Sequence, residues 1–411
     1  DNKVSSSSSS SLSGAAVVLP LPILPSAMGT TSDNNSAPDR CAWLQDVTSW
    51  RPTHDFSYPV AEIPSKVNQA EQQVDYFNDL EDVKHLCDGS NANVFLAKFR
   101  NETVVVKMIK KEAANNPVAL HEFRVEYGML ARMKHKHIIK VLGEGEKPRK
   151  FMVLEYLAGG SLTKLLQSNQ VSNFASQLFH RPSFHYPELL ERAMDMAEAL
   201  DYLHFRCHPG ATIIHRDLKP DNIGFTADGT LKLFDFGLVT CVRARSSPSD
   251  SYQMTGYTGS LRYMAPEVAL REPYTEKVDV YSFGIMLWQM ARDRVPFTGL
   301  GKTGFMQEVV RGGLRPKVDK NWPSGFAALL TSCWQRDPEA RSSFSMISID
   351  LANLIHEAAA GGGGGTGNSR MGLGSPGDSS KKVRAPAVVS KRGRLIKGGT
   401  KEKLDIQSSW F

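Results

Sequence analysis

Residues 213–222 read IIHRDLKPDN, and no other stretch narrows the choice of fold as much. Two apolar residues end a buried segment. Six polar or charged side chains follow: His215, Arg216, Asp217, Lys219, Asp221 and Asn222, with Pro220 bending the chain into a turn. Burying a bare charge costs several kcal/mol, so such a turn belongs at the lip of a cleft, where its groups meet one another or a ligand. The apolar start needs a core to emerge from, and 411 residues are ample for one.

The flanking patterns divide into two halves. From Val83 the chain is β-like: HLCDGSNANVFLAKF reads as strand, turn, strand, and Val104, Val105, Val106 and Lys107 form a β-branched run ending in a lysine. Helical spacing begins near Ala119, where Leu120, Phe123, Tyr127, Leu130 and Met133 recur three or four apart. Glu126 shares that face. A lone glutamate at a helix edge would simply reach for water, but a buried carboxylate asks for a cation, and Lys107 is the natural partner. Residues 150–157 (KFMVLEYL) form another strand, broken by Gly159-Gly160, and residues 167–186 read as a polar surface loop. Leu189, Ala193, Met196, Leu200 and Leu203 then repeat at helical spacing. A short strand at 231–234 leads into Asp235-Phe236-Gly237. Residues 279–290 (DVYSFGIMLWQM) are apolar on all sides, as in a helix buried inside a domain, and helical pattern continues to about His356. A β-rich half followed by a helical half predicts an α+β fold.

Over this whole body the order of motifs resembles a eukaryotic protein kinase of the serine/threonine type, in the tyrosine-kinase-like group. HRDLKPDN is similar to the catalytic loop H-R-D-L-x-x-x-N, and Asp235-Phe236-Gly237 begins 18 residues after Asp217 with a strand between. The resemblance implies a bilobal fold: a β-rich N-lobe with one main helix to about residue 156, and a mostly helical C-lobe over 157–356. It implies ATP and Mg2+ as cofactors and transfer of the γ-phosphate to serine or threonine hydroxyls of protein substrates, in signal transduction. Asp217 would take or orient the substrate hydroxyl proton, with Lys219 beside the γ-phosphate. Lys107 would hold the α- and β-phosphates, fixed by Glu126. Asn222 and Asp235 would present oxygens to Mg2+, a hard cation. Leu86, Gly89, Val94 and Val105 would surround the nucleotide, Leu154 would be the gatekeeper, and the backbone of Glu155 and Leu157 would bond the adenine. Glu267, closing the segment in Ala265-Pro266-Glu267, would pair with Arg341, and Asp279 would anchor the catalytic loop.

The subclass rests on Lys219, two residues after Asp217, which is the serine/threonine pattern; GGSL, YMAPE and DVYSFG resemble the tyrosine-kinase-like group. Arg216 implies a phosphate switch in the segment that follows, with Thr255 or Thr258 as the acceptor and an upstream kinase as the donor. The pattern departs in three places. Aligned on G-x-G-x-x-G-x-V, the chain offers Cys87, Gly89, Ala92 and Val94, so only the middle glycine remains. Val105 stands where the family has alanine above the adenine, and Gly224 where it has a larger apolar residue below, as if bulk had moved from floor to roof. The poor glycine loop is the one feature that favours a pseudokinase or scaffold; a dual-specificity or tyrosine kinase is disfavoured by Lys219.

Outside the body the sequence is biased. Residues 1–78 begin Ser- and Pro-rich and are expected to be disordered, with a short extension over 41–78 docking on the body. Residues 357–411 read as a Gly-rich linker and a disordered basic tail. The net charge of +6 is a property of that tail, which from Gly361 carries ten Lys or Arg against three Asp or Glu. The tail could meet acidic lipid or nucleic acid or serve nuclear entry; a solvated basic tail is the plainer reading, and no nucleic acid is expected on the body. The five cysteines are scattered without a CxxC pair, which points to free thiols and a cytoplasmic setting. No apolar run reaches the length of a membrane span, and residues 15–24 are too short and too Pro-rich for a signal peptide.

Overall fold

The computed structural model describes residues 73–168, 183–247, 250–256 and 259–361. The expected disordered head, most of the loop at 167–186, the linker beyond 361 and the basic tail lie outside the described residues, as does Thr258. Five strands form the first sheet: β1 (Leu80–Asp88), β2 (Ala92–Phe99), β3 (Glu102–Ile109), β4 (Val141–Gly145) and β5 (Phe151–Glu155), in the order β1-β2-β3-β5-β4 and antiparallel throughout. The helix α1 (Pro117–Leu130) lies between β3 and β4 in sequence; Asn116 caps it, accepting the Val118 N–H at 2.9 Å, and proline opens its first turn.

Alternation along β3 decides where its lysine goes. Val104, Val106 and Met108 pack into one apolar cluster, with Phe151 and Val153 of β5. Val105 and Ile109 pack into the other, with Met152 and Leu154. Lys107 has the parity of Val105 and Ile109 and so faces the inner side, toward α1. Both faces of the sheet are covered, which is why this run is valine throughout. The chain before β1 adds to the sheet edge: Gln73 bridges Glu144 in parallel, and the Val74 N–H donates to Glu144 O at 2.8 Å.

The second half is helical around two small sheets. The two-residue strand β6 (Gly160–Ser161) runs into α2 (Leu162–Ser168), a helix not foreseen between the double glycine and the loop. The helix α3 (Tyr186–Asp201) continues as a π-turn over Tyr202–Arg206. Next come β7 (Ala211–Ile214), β8 (Ile223–Phe225), β9 (Leu231–Leu233) and β10 (Thr240–Arg243). The strands β6, β8 and β9 make one sheet and β7 with β10 another. Then α4 (Pro266–Leu270), α5 (Lys277–Arg292), α6 (Lys302–Gly304) with a π-turn after it, α7 (Ser324–Cys333) and α8 (Phe344–Gly361) complete the described chain.

Every residue of α5 from Lys277 to Met290 is buried, as its all-round apolar pattern predicts. Each fully buried Phe, Ile or Leu on it contributes about 1.5–3 kcal/mol of transfer free energy, which makes it a firm post for whatever binds to it. One expected boundary needs correction: residues 357–360 are not linker but the last turn of α8, because Glu357 and three alanines favour helix until the glycine run stops it. Among the described residues no helix is long and apolar enough to cross a membrane. The described cysteines Cys87, Cys207, Cys241 and Cys333 are free; Cys41 lies outside the described residues.

Candidate active site

The turn at 215–222 is held from below by one carboxylate. Asp279, in the first turn of α5 and fully buried, accepts the backbone N–H groups of His215 and Arg216, both at 2.8 Å, and His204 Nε2–H at 2.9 Å. Burial alone would raise its pKa, but the hydrogen bond and charge of His204 and the neighbouring donors outweigh that and hold it below the usual aspartate value. The π-turn after α3 is what brings His204 to this point, and nothing in the spacing signalled it. His215 itself is buried and, by that burial, kept easier to deprotonate than usual despite three nearby carboxylates.

Asp217 is the focus of the loop. Its Oδ2 accepts Lys219 Nζ at 2.7 Å and Asn222 Nδ2 at 3.1 Å, and its Oδ1 accepts the Ser260 N–H at 2.9 Å. Asn222 Nδ2 also donates to Asp217 O at 2.8 Å, which turns the amide oxygen of Asn222 away from Asp217. Burial would lower the Lys219 pKa, yet the Asp217 carboxylate holds it above the ordinary lysine value. Arg216 adopts φ 68° and Asp235 φ 63°, left-handed backbone that side chains of this kind rarely take and that costs on the order of 1–3 kcal/mol. Gly259, at φ 93°, lies against the Arg216 carbonyl, so any side chain there would collide with the loop.

Across the cleft, Lys107 Nζ meets both carboxylate oxygens of Glu126, at 2.6 and 2.7 Å, and Asp235 Oδ1 at 3.3 Å. Thus β3, α1 and the turn after β9 converge on one ammonium. Burial would lower its pKa, but the two carboxylates hold it above the ordinary value. Burial likewise works to raise Asp235, and the ammoniums of Lys107 and Lys219 prevail, keeping that carboxyl below its usual range. Lys107, Glu126, Leu154, Phe234 and Asp235 line one cavity.

Arg216 reaches out of the loop toward the segment that follows. It donates to Leu238 O at 2.6 Å, Thr255 Oγ1 at 3.0 Å and Tyr274 Oη at 3.3 Å. The segment is further tied by a backbone bridge between Tyr252 and Tyr274, and by Arg245, which pairs with Glu276 at 3.0 Å and Glu339 at 2.8 Å. At its end, buried Arg341 grips Glu267 in a bidentate pair at 2.6 and 3.0 Å. Tyr274 was not singled out by the sequence.

The remaining expected residues divide by exposure. Val94, Val105, Leu154 and Leu157 are buried on the inner side of the sheet and at the strand end, whereas Leu86 is 42% exposed on β1. The loop from Cys87 to Ala92 is closed by Gly89 N–H to Ala92 O at 2.8 Å, its Asn91 carbonyl accepts the Lys110 N–H at 2.9 Å, and Asn91 Nδ2 reaches Glu122 of α1 at 3.3 Å. The three atoms nearest to where a Cβ at Gly224 would stand belong to Leu157, Phe234 and Gly160.

A family model described as protein tyrosine and serine/threonine kinase matches residues 80–351. A probable serine/threonine-protein kinase of Dictyostelium discoideum is 33% identical over 302 residues, covering 71% of this chain and 30% of that protein. The serine/threonine-protein kinase STY17 of Arabidopsis thaliana is 30% identical over 306 residues, 74% of this chain and 49% of its own. Mitogen-activated protein kinase kinase kinase 7 of Bos taurus is 34% identical over 296 residues, 72% of this chain and 46% of its own. The chain therefore spans half or less of the length of these curated relatives.

Proposed function

The chain belongs to the family of protein tyrosine and serine/threonine kinases, and we propose that it transfers the γ-phosphate of ATP to serine and threonine hydroxyls of protein substrates. The observation that carries this reading is the line Glu126–Lys107–Asp235, joined by hydrogen bonds of 2.6 and 3.3 Å, in one cleft with the Asp217–Lys219 pair. Phosphoryl transfer passes through a loose, charge-spread transition state, so positioned cations and oxygens supply most of the catalysis.

Asp217 is oriented by three donors on its two oxygens, which aims it as the acceptor of the substrate hydroxyl proton. Lys219 neutralises charge on the transferred group and, by its position two residues after Asp217, marks serine/threonine specificity. Lys107 holds the phosphates of the nucleotide while Glu126 keeps it in place. Among the described residues no cluster of three or more His, Cys, Asp and Glu could cage a metal by itself. The donor set still fits Mg2+, which is bound through one or two carboxylates together with substrate phosphates: Asp235 and the outward oxygen of Asn222 would hold it. When bound, the ion neutralises charge on the phosphates.

The same reading includes a switch. A phosphate on Thr255, placed by an upstream kinase, would meet the Arg216 guanidinium that already touches its Oγ1. Mass spectrometry finding full activity with Thr255 unmodified removes that switch. A cytoplasmic setting and a role in signal transduction belong to the reading as well; the free thiols of the described cysteines support the former.

The test is phosphoamino-acid analysis after incubating the purified chain, and an Asp235→Ala variant, with Mg-ATP and mixed peptides. Phosphoserine and phosphothreonine from the wild type alone are expected. Phosphotyrosine as the main product, or no transfer by either protein, overturns the assignment, the latter in favour of a nucleotide-binding scaffold.

A further inference from the structure

The connection between α4 and α5 carries two anchors, five residues apart. Asp279 holds the turn at 215–222 from below. Tyr274, buried, meets the segment that follows that turn. Its main chain exchanges two hydrogen bonds with Tyr252, both at 3.0 Å, and its Oη–H donates to Thr255 O at 3.0 Å. The same oxygen accepts Arg216 Nη1 at 3.3 Å. The hydroxyl thus uses its donor toward the segment and an acceptor site toward the turn, and bridges the two. The fit is close: a Cβ at Gly256 would stand 2.5 Å from Arg271 Cγ and 2.7 Å from Arg271 Cα. A few residues on, Gly259 lies against the Arg216 carbonyl and the Ser260 N–H donates to Asp217 Oδ1 at 2.9 Å. All the bonds from Tyr274 to the segment end on main-chain atoms, so they do not call on a phosphate.

We infer that Tyr274 is a positioning residue for phosphoryl transfer: its hydroxyl sets the spacing between residues 252–256 and the turn at 215–222, and through Ser260 the aim of Asp217, before any phosphate is placed on Thr255. This rests on the reading of Asp217 as the acceptor of the substrate hydroxyl proton. One short piece of chain, 271–279, then holds both sides of that acceptor, the turn through Asp279 and the segment through Tyr274. If the segment lifts, Asp217 Oδ1 loses the Ser260 N–H and the carboxylate is left with Lys219 and Asn222 on its other oxygen. Tyr274→Phe keeps the buried ring and removes only the bridge. Lys107, Glu126 and Asp235 are held by one another and make no hydrogen bond with Tyr274, so the loss falls on the transfer step and not on nucleotide binding.

The experiment compares the full chain, wild type and Tyr274→Phe, after phosphatase treatment that leaves Thr255 unmodified. Three quantities are read: kcat for an accepted peptide at saturating Mg-ATP, calorimetric affinity for Mg-ADP, and amide hydrogen exchange over residues 250–256. Tyr274→Phe is expected to lower kcat about tenfold, the scale of one hydrogen bond to a charged partner. Mg-ADP affinity is expected to stay as in the wild type, while exchange over 252–256 becomes faster. A kcat equal to that of the wild type, or unchanged exchange, overturns the inference. So does a loss of Mg-ADP affinity in step with kcat, the mark of a merely structural role. If Tyr274→Phe fails to melt cooperatively, the wild type decides: the Tyr252 and Tyr274 amides, each a donor in the bridge, must exchange slowly, and free exchange there overturns the inference. A folded wild type that transfers phosphate to no peptide instead overturns the proposed function, and the positioning role with it.

Discussion

Residues 215–222 and residues 87–92 both border the cleft, yet they are secured by different means. The first stretch hangs from a fully buried carboxylate, Asp279, by two backbone bonds, and its own Asp217 is met by three donors. The second is held by two backbone bonds, Gly89 N–H to Ala92 O and Lys110 N–H to Asn91 O, and by exposed side-chain contacts from Asn91 to Glu122 and from His85 to Asp88. Its residues Cys87 and Ala92 stand where the family has glycines. On the proposed reading, the stretch that does the chemistry is held by buried polar partners, and the stretch that would cover the phosphates is held by exposed ones.

Substitutions at four positions test that contrast, in falling order of effect. Asp217→Asn keeps the shape of the loop but removes the proposed proton acceptor, so kcat should fall by about 10^2–10^4, with the melt little changed. A loss below tenfold, measured with any accepted peptide, would mean that Asp217 is not the acceptor. Asp279→Ala leaves two buried N–H groups and His204 without their acceptor, and denaturant unfolding should show a loss of about 3–5 kcal/mol. The pH dependence follows from the same carboxylate. Its pKa is lower in the fold than the ordinary aspartate value of 3.8, so its contribution is complete above that value and is lost as pH falls through the folded one. Asp279→Asn should therefore flatten the acid limb of the stability profile; an unchanged limb would sink the anchor's electrostatic role. Smallest of all, Cys87→Gly or Ala92→Gly should tighten nucleotide binding a few-fold at most and cost about 0.5–1 kcal/mol of stability. A change beyond tenfold would erase the contrast between the two loops.

Much of this arrangement was legible before any coordinates. Glu126 could be paired with Lys107 because a carboxylate on an apolar helix face needs a cation and the valine run ended in one. The buried helix that carries Asp279 announced itself by being apolar on every side, and Glu267 with Arg341 followed from the family pattern. What stayed hidden depends on contacts between distant residues that leave no periodic trace. His204 reaches Asp279 through a π-turn, Tyr274 supports Arg216 from 58 residues away, and Leu157 Cδ1 fills the space where a Cβ at Gly224 would stand. The helical continuation to Gly361 was missed because the glycine run drew the boundary too early.

The central claim is that Lys107 and Lys219 approach one nucleotide's phosphates in a single cleft. An acyl-phosphate derivative of ATP transfers its acyl group to whichever amine lies beside those phosphates, and peptide mass spectrometry reads the position. Acylation concentrated on Lys107 and Lys219, and suppressed by excess Mg-ATP, is the predicted result. Labelling spread over surface lysines, indifferent to Mg-ATP and sparing both residues, would contradict the account.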